Sequence, residues 1–270
     1  MGRVLSIAGS DSGGGAGIQA DIKTITALGG YAMTAITALT AQDTNGVAAI
    51  HAVPAEFIHR QIAVVLADLG ADAVKTGMLG GQDHVAAVCD ALLARPPGVP
   101  VVVDPVLRAT AGTVLMDEAA TIMLKRRLLP LATLLTPNLP EAEALSGIRI
   151  RSRADMQAAA GVLLTLGVPA VLLKGGHLPG DRVIDLLADE DGVEEFAAPR
   201  IASRHTHGTG CTLASAIATG LAQGMRLRDA VIRARAYVRA AIVAAPGFGT
   251  GHGPMGHGVT IDPARLDRLR

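Results

Sequence analysis

Short runs of apolar, often β-branched residues recur along the chain at nearly regular spacing. They occupy residues 4–8, 35–39, 73–75, 99–104, 133–136 and 170–174. Within each run the apolar residues are mostly continuous and do not alternate with polar ones. This is typical of parallel strands that are covered on both faces. The pattern therefore predicts a mainly parallel β-sheet.

Between most of these runs, apolar residues return every three or four positions, the period of a helix with one buried face. Ile18, Ile22, Ile25 and Leu28 form one such stretch. The other helical stretches lie within residues 57–66, 85–93, 119–128, 156–166, 209–223 and 227–245. Strands that alternate with amphipathic helices predict an α/β fold whose sheet is flanked by helices on both faces.

The rhythm changes near residues 183–197, where two apolar runs flank the dipeptide Asp191-Gly192. An Asp-Gly pair between two such runs is typical of a tight hairpin turn, so we expect a small antiparallel edge here. Residues 247–258 are rich in glycine and are predicted to form a loop. Because no linker-like segment or internal repeat interrupts the chain, residues 1–270 are predicted to form a single domain.

Composition and charge exclude several classes of protein. Hydrophobic residues make up 50% of the chain and charged residues 18%, which excludes a disordered protein. Lys plus Arg (24) balances Asp plus Glu (24), so there is no basic excess for binding nucleic acid. The chain contains no uninterrupted apolar stretch of about 18 residues, the length that a membrane-spanning helix needs. The two cysteines are too few for a disulfide framework and favour a cytoplasmic location.

Polar or glycine residues follow each predicted strand. The segments are Gly9-Ser10-Asp11, Gln42-Asp43, Lys75-Thr76-Gly77, Asp104, Thr136-Pro137-Asn138 and Lys174-Gly175-Gly176. Loops are polar in many folds, so this pattern alone is weak. However, ligands of open α/β sheets bind outside the carboxyl ends of the strands. The pattern therefore favours one shared ligand site at that edge.

A glycine-rich stretch from Gly13 to Gly17 opens the first predicted helix. Residues 15–20 formally match the dinucleotide pattern G-x-G-x-x-G/A, but several residues separate these glycines from the strand. The acidic residue expected about 20 positions later is also missing. We therefore favour a loop whose backbone approaches a small substrate. Asp21 either points at that site or is a solvated residue favoured by the helix dipole.

The segment from Thr206 to Thr212 places glycines directly before a predicted helix. Unpaired backbone N–H groups of residues 208–211 would lie at the positive end of the helix dipole, a geometry that binds phosphate or a developing anion. Cys211 would lie in the first turn, where the thiol pKa is lowered. The alternative is a small thiol packed in the core.

Asn138 and Glu141 follow the fifth predicted strand at the spacing of a helix-capping box. The functional alternative is that both residues face Mg²⁺ and the phosphates of a nucleotide. Asp104 closes another buried strand, where an isolated charge would be costly. A metal or another cation next to Asp104 would offset this cost.

Several motifs, taken in order, make the sequence resemble the hydroxymethylpyrimidine/phosphomethylpyrimidine kinase family of thiamine biosynthesis, within the ribokinase-like fold. Between residues 7 and 254 they read IAGSD, GGAGIQAD, TALTAQ, KTGML, DPV, TPNLPE, KGGH, HGTGCT and GHGP. The resemblance implies a cytoplasmic homodimer that uses Mg²⁺ and ATP. Such an enzyme phosphorylates 4-amino-5-hydroxymethyl-2-methylpyrimidine, and then converts the monophosphate to the diphosphate.

The resemblance also implies roles for individual residues. Those that would bind the pyrimidine are Gln42, Gly9, Asp21 and Met78. Those that would act on the transferring phosphate are Gly208, Thr209, Gly210, Cys211 and Lys174. Asn138 and Thr206 would contact the nucleotide, and Asp104 and Glu141 would lie at the metal.

Two other functions remain open at this stage. A pyridoxal kinase of the same branch would share the cysteine-type anion hole and would also act on a small aromatic alcohol. A non-catalytic pyrimidine-binding protein could keep Gln42, but it would not need Lys174, Glu141 and the glycine turn.

Overall fold

The computed structural model describes residues 1–109, 112–262 and 264. The strands are β1 (Arg3–Asp11), β2 (Tyr31–Gln42), β3 (Val47–Ala52), β4 (Ala73–Thr76), β5 (Val101–Val103), β6 (Leu134–Leu135), β7 (Val171–Leu173), β8 (Arg182–Asp189) and β9 (Gly192–Pro199). The helices are α1 (Gly17–Ala27), α2 (Ala55–Asp68), α3 (Gln82–Leu92), α4 (Glu118–Met123), α5 (Leu139–Ser146), α6 (Arg153–Leu164), α7 (Thr209–Ala222) and α8 (Leu227–Val243). A π-helical turn, Leu124–Leu128, and a 3₁₀ turn, Leu129–Leu131, continue α4.

All of these strands belong to one nine-stranded sheet in the order β3-β2-β1-β4-β5-β6-β7-β8-β9. The six neighbouring strands β2, β1, β4, β5, β6 and β7 pair in parallel, which confirms the predicted parallel sheet. The antiparallel hairpin predicted near residues 183–197 is also present, as β8 and β9. A second antiparallel strand, β3, pairs with β2 at the opposite edge and was not predicted.

Two apolar cores cover the two faces of the sheet. On one face the sheet packs against α2 to α6, with Leu5 and Ile7 of β1 fully buried. On the other face it packs against α1, α7 and α8, with Val4 of β1 buried there. This two-sided burial explains why the strands read as continuous apolar runs. Phe57 is nevertheless 55% exposed: adjacent residues of α2 point about 100° apart, and its neighbour Ile58 faces the core.

The fold brings the polar strand ends to one edge, as the sequence predicted. β1, β2 and β4 to β7 all end there because they run parallel. Helix α7 packs against the sheet and begins at this same edge, next to the loop that follows β1. In the described parts of the chain, no helix combines the length and the apolar character needed to cross a bilayer.

Candidate active site

A cavity of about 880 Å³ opens at the carboxyl ends of the parallel strands. The sequence-predicted site residues that line it are Gly9, Gln42, Met78, Asp104, Asn138, Glu141, Lys174, Thr206, Gly208, Thr209, Gly210 and Cys211. These residues come from the carboxyl-terminal parts of β1 and β2, from the segments that follow β4, β5, β6, β7 and β9, and from the start of α7. The structure therefore brings together every predicted site residue except Asp21.

Asp21 lies in the core, beneath the cavity. Its carboxylate is fully buried and accepts hydrogen bonds from Lys75 Nζ (2.9 and 3.0 Å), Ser6 Oγ (2.5 Å) and Ser215 Oγ (2.6 Å). The prediction of a solvated aspartate at a helix start is wrong, and the structure gives Asp21 no place in the wall of the cavity. Asp21 lies about one helical turn after Gly17, the first residue of α1, and at this position its side chain points inward, toward β4 and α7.

Lys75, which the sequence did not single out, is the partner of Asp21. Burial alone would lower the pKa of this fully buried ammonium group, but the Asp21 carboxylate raises it above the ordinary value. The hydrogen bonds of Asp21 to Ser6 and Ser215 extend the pair to β1 and α7. This buried network therefore joins β1, α1, β4 and α7 directly below the cavity.

The turn before α7 is shaped by Gly208, the N-cap residue. Gly208 has φ of 81°, a left-handed conformation, and a Cβ at this position would collide with the carbonyl oxygen of Gly15. Only glycine satisfies both conditions. Within the described residues, the backbone N–H groups of Gly210 and Cys211 donate to no protein acceptor. These two groups are therefore free to bind an anion at the positive end of the helix.

Gly210 lies next to an ion pair on the cavity wall. A Cβ on Gly210 would be 3.1 Å from Lys174 Nζ and 3.5 Å from Asp104 Oδ2, and Lys174 Nζ donates to Asp104 Oδ1 over 2.9 Å. Burial would lower the pKa of Lys174, but Asp104 raises it, so the ammonium group stays charged. Lys174 is thus the cation that offsets the buried Asp104, and the free N–H groups lie close to its positive charge.

Cys211 does not have the lowered pKa that its position in the first turn of α7 predicted. Burial raises the pKa of the Cys211 thiol to about 11, although the charge of Lys75 acts in the opposite direction. The backbone N–H of Gly17 also lowers this pKa, in the same direction as Lys75. The thiol is therefore protonated at neutral pH, because the loss of hydration outweighs the nearby positive charge. The sequence argument omitted this desolvation.

Asn138 and Glu141 form the capping box that the sequence offered as the structural alternative. Asn138 Oδ1 accepts from the Glu141 N–H over 2.9 Å, and Glu141 Oε2 accepts from the Asn138 N–H over 2.8 Å. Glu141 also lines the cavity, and its Oε1 accepts no hydrogen bond from the described residues. Burial raises the pKa of Glu141 to about 7, and the charge of Asp104 adds to this effect while Lys174 opposes it. Glu141 can therefore cap α5 through Oε2 and face a ligand with Oε1 at the same time.

Asp104 and Glu141 bring two carboxyl groups to the same part of the cavity. Among the described residues, no group of three or more His, Cys, Asp or Glu side chains could hold a metal ion. Mg²⁺ commonly takes only one or two carboxylates from the protein and completes its shell with water and substrate phosphates. The mutual repulsion that raises the pKa of Glu141 is what such a cation would relieve. This donor set fits a magnesium ion that arrives with a nucleotide.

A cluster of polar side chains lies at the Gln42 end of the cavity. His207 Nε2 is 3.0 Å from Asp11 Oδ2 and 3.1 Å from the terminal amide of Gln42. The sequence analysis quoted Asp11 and His207 in motifs but gave neither a role. A histidine among glycines before a helix, in a chain with 8 histidines, was the signal available. Its partner Asp11 is 196 positions away, so only the fold reveals the pair.

A family model described as phosphomethylpyrimidine kinase matches residues 11–256. This chain belongs to that family. One relative is the hydroxymethylpyrimidine/phosphomethylpyrimidine kinase of Streptomyces coelicolor, which is 48% identical over 94% of both chains. The thiamine biosynthesis bifunctional protein ThiED of Geobacter sulfurreducens is 51% identical over 98% of this chain, but this chain spans only 54% of that longer protein.

Solved structures agree with the family and with a ribokinase-like fold. The phosphomethylpyrimidine kinase of Clostridium difficile is 40% identical, with a TM-score of 0.80 over 90% of this chain and 100% of that chain. The pyridoxal kinase of Staphylococcus aureus in complex with ADP is 35% identical, with a TM-score of 0.90 over 97% and 96% of the two chains. The branch of phosphomethylpyrimidine kinases thus shares its fold with pyridoxal kinases, as the resemblance implied.

Proposed function

We propose that this chain is an ATP-dependent kinase that phosphorylates 4-amino-5-hydroxymethyl-2-methylpyrimidine and then its monophosphate, in thiamine biosynthesis. The observation that carries the proposal is the arrangement within one cavity. Gln42, Gly9 and Met78 line one part of it, and the α7 turn with Lys174 and Asp104 lines another. The family relationship supports the same assignment. Because one continuous sheet supplies the whole site, we also propose that residues 1–270 act as a single kinase domain.

The α7 turn supports phosphoryl transfer. Such a reaction needs positioning and charge stabilisation more than covalent chemistry from the protein. The free N–H groups of Gly210 and Cys211 would hold the oxygens of the transferring phosphoryl group, and the Lys174 ammonium would neutralise their charge. The protonated Cys211 thiol contributes no base in this scheme, so its backbone N–H is the part that matters.

The cavity extends from this turn toward α8, where Leu213, Val238 and Ile242 supply an apolar lining. Such a lining fits the flat face of a purine base, and we propose that ATP binds along this part. Asn138 and Thr206 line the same cavity and would contact the nucleotide, as the resemblance implies. Asp104 and Glu141 would hold Mg²⁺, which supplies charge neutralisation to the phosphates when it is bound.

Steady-state kinetics on three alcohols tests the proposal. The purified chain with Mg²⁺ and ATP is given hydroxymethylpyrimidine, its monophosphate or pyridoxal. We expect the highest kcat/KM on the two pyrimidines. A kcat/KM that is highest on pyridoxal would assign the alternative kinase activity, which the pyridoxal kinase neighbours make the natural competitor. Binding of the pyrimidine without any turnover would indicate the non-catalytic alternative.

The variant Gln42→Ala tests which part of the cavity receives the pyrimidine. Loss of a hydrogen bond that leaves a buried partner unpaired costs about 1–3 kcal/mol, or roughly 5- to 150-fold in affinity. We expect the KM of the pyrimidine to rise by this factor while the KM of ATP changes little. Equal rises of both constants would reject the assignment of Gln42.

We also propose that the protein is a homodimer, with a second copy covering the hairpin of β2 and β3. The edge strand β3 reads Val-Ala-Ala-Ile-His-Ala and is exposed along almost its whole length, with Ile50 46% exposed. Edge strands that stay in water usually carry charges or proline, and β3 carries neither proline nor a lysine. Leu39 on the neighbouring strand is 48% exposed.

The oligomeric state tests this interface. We expect a dimer mass in light scattering for the natural chain, and a monomer mass for Ile50→Lys. Val193→Lys is the matched control, since Val193 is 51% exposed on β9 at the opposite edge of the sheet. A dimer that survives Ile50→Lys but not Val193→Lys would place the interface at β9 and overturn the proposed interface at β3.

The two cysteines are both free, which supports the cytoplasmic location that the sequence favours.

A further inference from the structure

The hydrogen bonds around Gln42 contain a conflict that identifies a specificity-determining residue. Asp11 has a protonation state that its hydrogen bonds determine. Its carboxylate accepts from the backbone N–H groups of Gly13 (2.8 Å), Gly15 (3.0 Å) and Ala16 (2.8 Å). Burial would raise the pKa of Asp11, but the hydrogen bonds from His207 and these backbone groups lower it below its ordinary value. Asp11 is therefore ionised and can only accept.

The charge of Asp11 determines the hydrogen on His207. Asp11 Oδ2 lies 3.0 Å from His207 Nε2, so Nε2 must carry a hydrogen and donate it. This holds whether or not the other ring nitrogen, Nδ1, is protonated. Nδ1 forms no hydrogen bond with the described residues, so Nε2 is the ring nitrogen that the network holds. His207 thus presents a donor, and not an acceptor, to the Gln42 amide 3.1 Å away.

Thr40 imposes a second condition on the same amide. The Thr40 hydroxyl has a single hydrogen, which we assign to its shorter contact, with the carbonyl oxygen of Ser10 at 2.9 Å. The other terminal atom of Gln42 lies 3.1 Å from this hydroxyl oxygen, which can then only accept. With the amide nitrogen toward His207 and the amide oxygen toward Thr40, donor would face donor and acceptor would face acceptor.

We propose that His207 and Thr40 together fix the Gln42 amide in the opposite orientation, with its oxygen toward His207 and its nitrogen toward Thr40. Amide oxygen and nitrogen are told apart by their hydrogen bonds. A rotation of the amide by 180° removes both mismatches: the nitrogen then donates to Thr40, and the oxygen shares the Nε2 hydrogen that His207 also donates to Asp11. The backbone of Gln42 is held separately, by mutual hydrogen bonds with Ser12 Oγ (2.8 and 2.9 Å), so His207 controls the amide and not the strand.

This orientation sets which ligand edge is recognised, an inference that rests on the proposed pyrimidine substrate. The amide has one N–H and one oxygen lone pair left for the cavity that Gln42 lines. The N–H meets an acceptor on the Thr40 side, and the oxygen meets a donor on the His207 side. A 4-aminopyrimidine offers this pair in its ring nitrogen and amino group. A 4-oxopyrimidine offers the reverse, a ring N–H and a carbonyl oxygen.

The kinetic test compares the 4-amino substrate with its 4-oxo analogue. In the natural chain we expect kcat/KM to favour the amino compound by about 100-fold or more, since two hydrogen bonds are mismatched in the oxo compound. His207→Leu frees the amide to rotate and should cut this preference by about tenfold or more. His207→Gln can still donate to both neighbours and should keep the preference within about threefold. An unchanged preference in His207→Leu would overturn the proposal.

A second measurement does not depend on activity. Long-range ¹H–¹⁵N correlation spectra of the histidine-labelled chain at pH 8, with His207 assigned from His207→Gln, report which ring nitrogen carries the hydrogen. We expect a protonated Nε2, and an unprotonated Nε2 would overturn the proposal even if His207→Leu failed to fold. If the natural chain phosphorylated neither pyrimidine, the proposed function would fail, while the spectra would still decide the role of His207.

Discussion

A Cβ atom at position 210 would lie 3.1 Å from the ammonium nitrogen of Lys174. Gly210 does not need a positive φ, so its absence of a side chain serves this close approach and not the backbone conformation. Position 210 lies in the first turn of α7, where alanine is conformationally better than glycine. The site therefore keeps a residue that weakens the helix because a larger one would enter the space beside Lys174 and Asp104.

The variant Gly210→Ala should separate stability from activity. We expect the free energy of unfolding to rise by up to about 0.5–1 kcal/mol, the usual gain of alanine over glycine in a helix, less any cost of the close contact. Turnover should fall by about tenfold or more, because the methyl group displaces Lys174 or the phosphoryl group. Urea denaturation and steady-state kinetics measure the two effects.

Gly161→Ala is the matched control for this variant. Gly161 lies within α6, and a Cβ there would meet nothing within 4 Å. The control should gain the same stability with unchanged turnover. Full activity of Gly210→Ala would show that the phosphoryl group does not bind beside this residue.

Cys211→Ser and Cys211→Ala should both keep turnover within about fivefold of the natural chain. A thiol with a pKa of about 11 is neutral at pH 7, so neither substitution removes a base. The neutral thiol should also react slowly with iodoacetamide, in an assay with the other cysteine, Cys89, replaced. A fall in turnover on the order of 100-fold in both variants would restore Cys211 as the proton acceptor.

Lys75→Met should destabilise the protein by about 3–5 kcal/mol, since it leaves the buried Asp21 carboxylate without its cation. Replacing both members, in Lys75→Met with Asp21→Asn, should recover part of this loss because no unpaired charge remains. The exposed pair Arg127–Asp90 is the control, and Arg127→Met should have little effect on stability because solvent screens the charges of an exposed pair. Urea denaturation measures all three. Equal costs for the buried and exposed pairs would show that the buried pair contributes no more to stability than an exposed one.

Acid should destabilise the protein through His257. This side chain is 5% exposed, and its Nε2 lies 2.9 Å from Thr212 Oγ1. Burial lowers the pKa of His257 to about 4, and the charge of Lys23 adds to the shift. Because the folded-state pKa lies below the unfolded value of about 6.5, this stabilisation is present above about pH 6.5 and is lost as the pH falls toward 4.

A shift of this size corresponds to a loss of about 3 kcal/mol between pH 6.5 and 4. The variant His257→Gln should show a correspondingly flatter acid limb when the free energy of unfolding is plotted against pH. His59→Gln, at an exposed position of α2, should leave the limb unchanged. An acid limb that is equally steep in His257→Gln would assign the pH dependence to other groups.

The sequence was sufficient to predict the parallel sheet, the helices on both faces and the hairpin of β8 and β9, because burial on both faces leaves a strong apolar signal. It did not predict β3, although the dipeptide Asn45-Gly46 directly before Val47 is a strong hairpin signal. The strand itself has no buried face, so its apolar residues follow neither of the periods on which the analysis relied.

For the candidate site, the sequence identified most of the residues but not their electrostatics. The edge position of Gln42 and Lys174 follows from the strand ends, and the α7 turn from glycines directly before a helix, and both signals are local in sequence. The pKa of Cys211 and the burial of Asp21 depend instead on side chains far along the chain, such as Lys75, 54 positions from Asp21. Local rules, such as the helix dipole and the preference for acids in a first turn, gave the wrong result wherever desolvation was larger.

The Lys75–Asp21 network also bears on how enzymes of this type could change substrate. It anchors α7 from below through Ser215, one helical turn after Cys211, and none of its members lines the cavity. On the proposed assignment, the turn that would hold the phosphoryl group is therefore anchored by residues other than those that would contact the acceptor alcohol. Substitutions at positions such as Met78 or Gln42 can accumulate while the Lys75–Asp21 network is inherited unchanged. New specificities could then arise on this scaffold without first losing the chemistry.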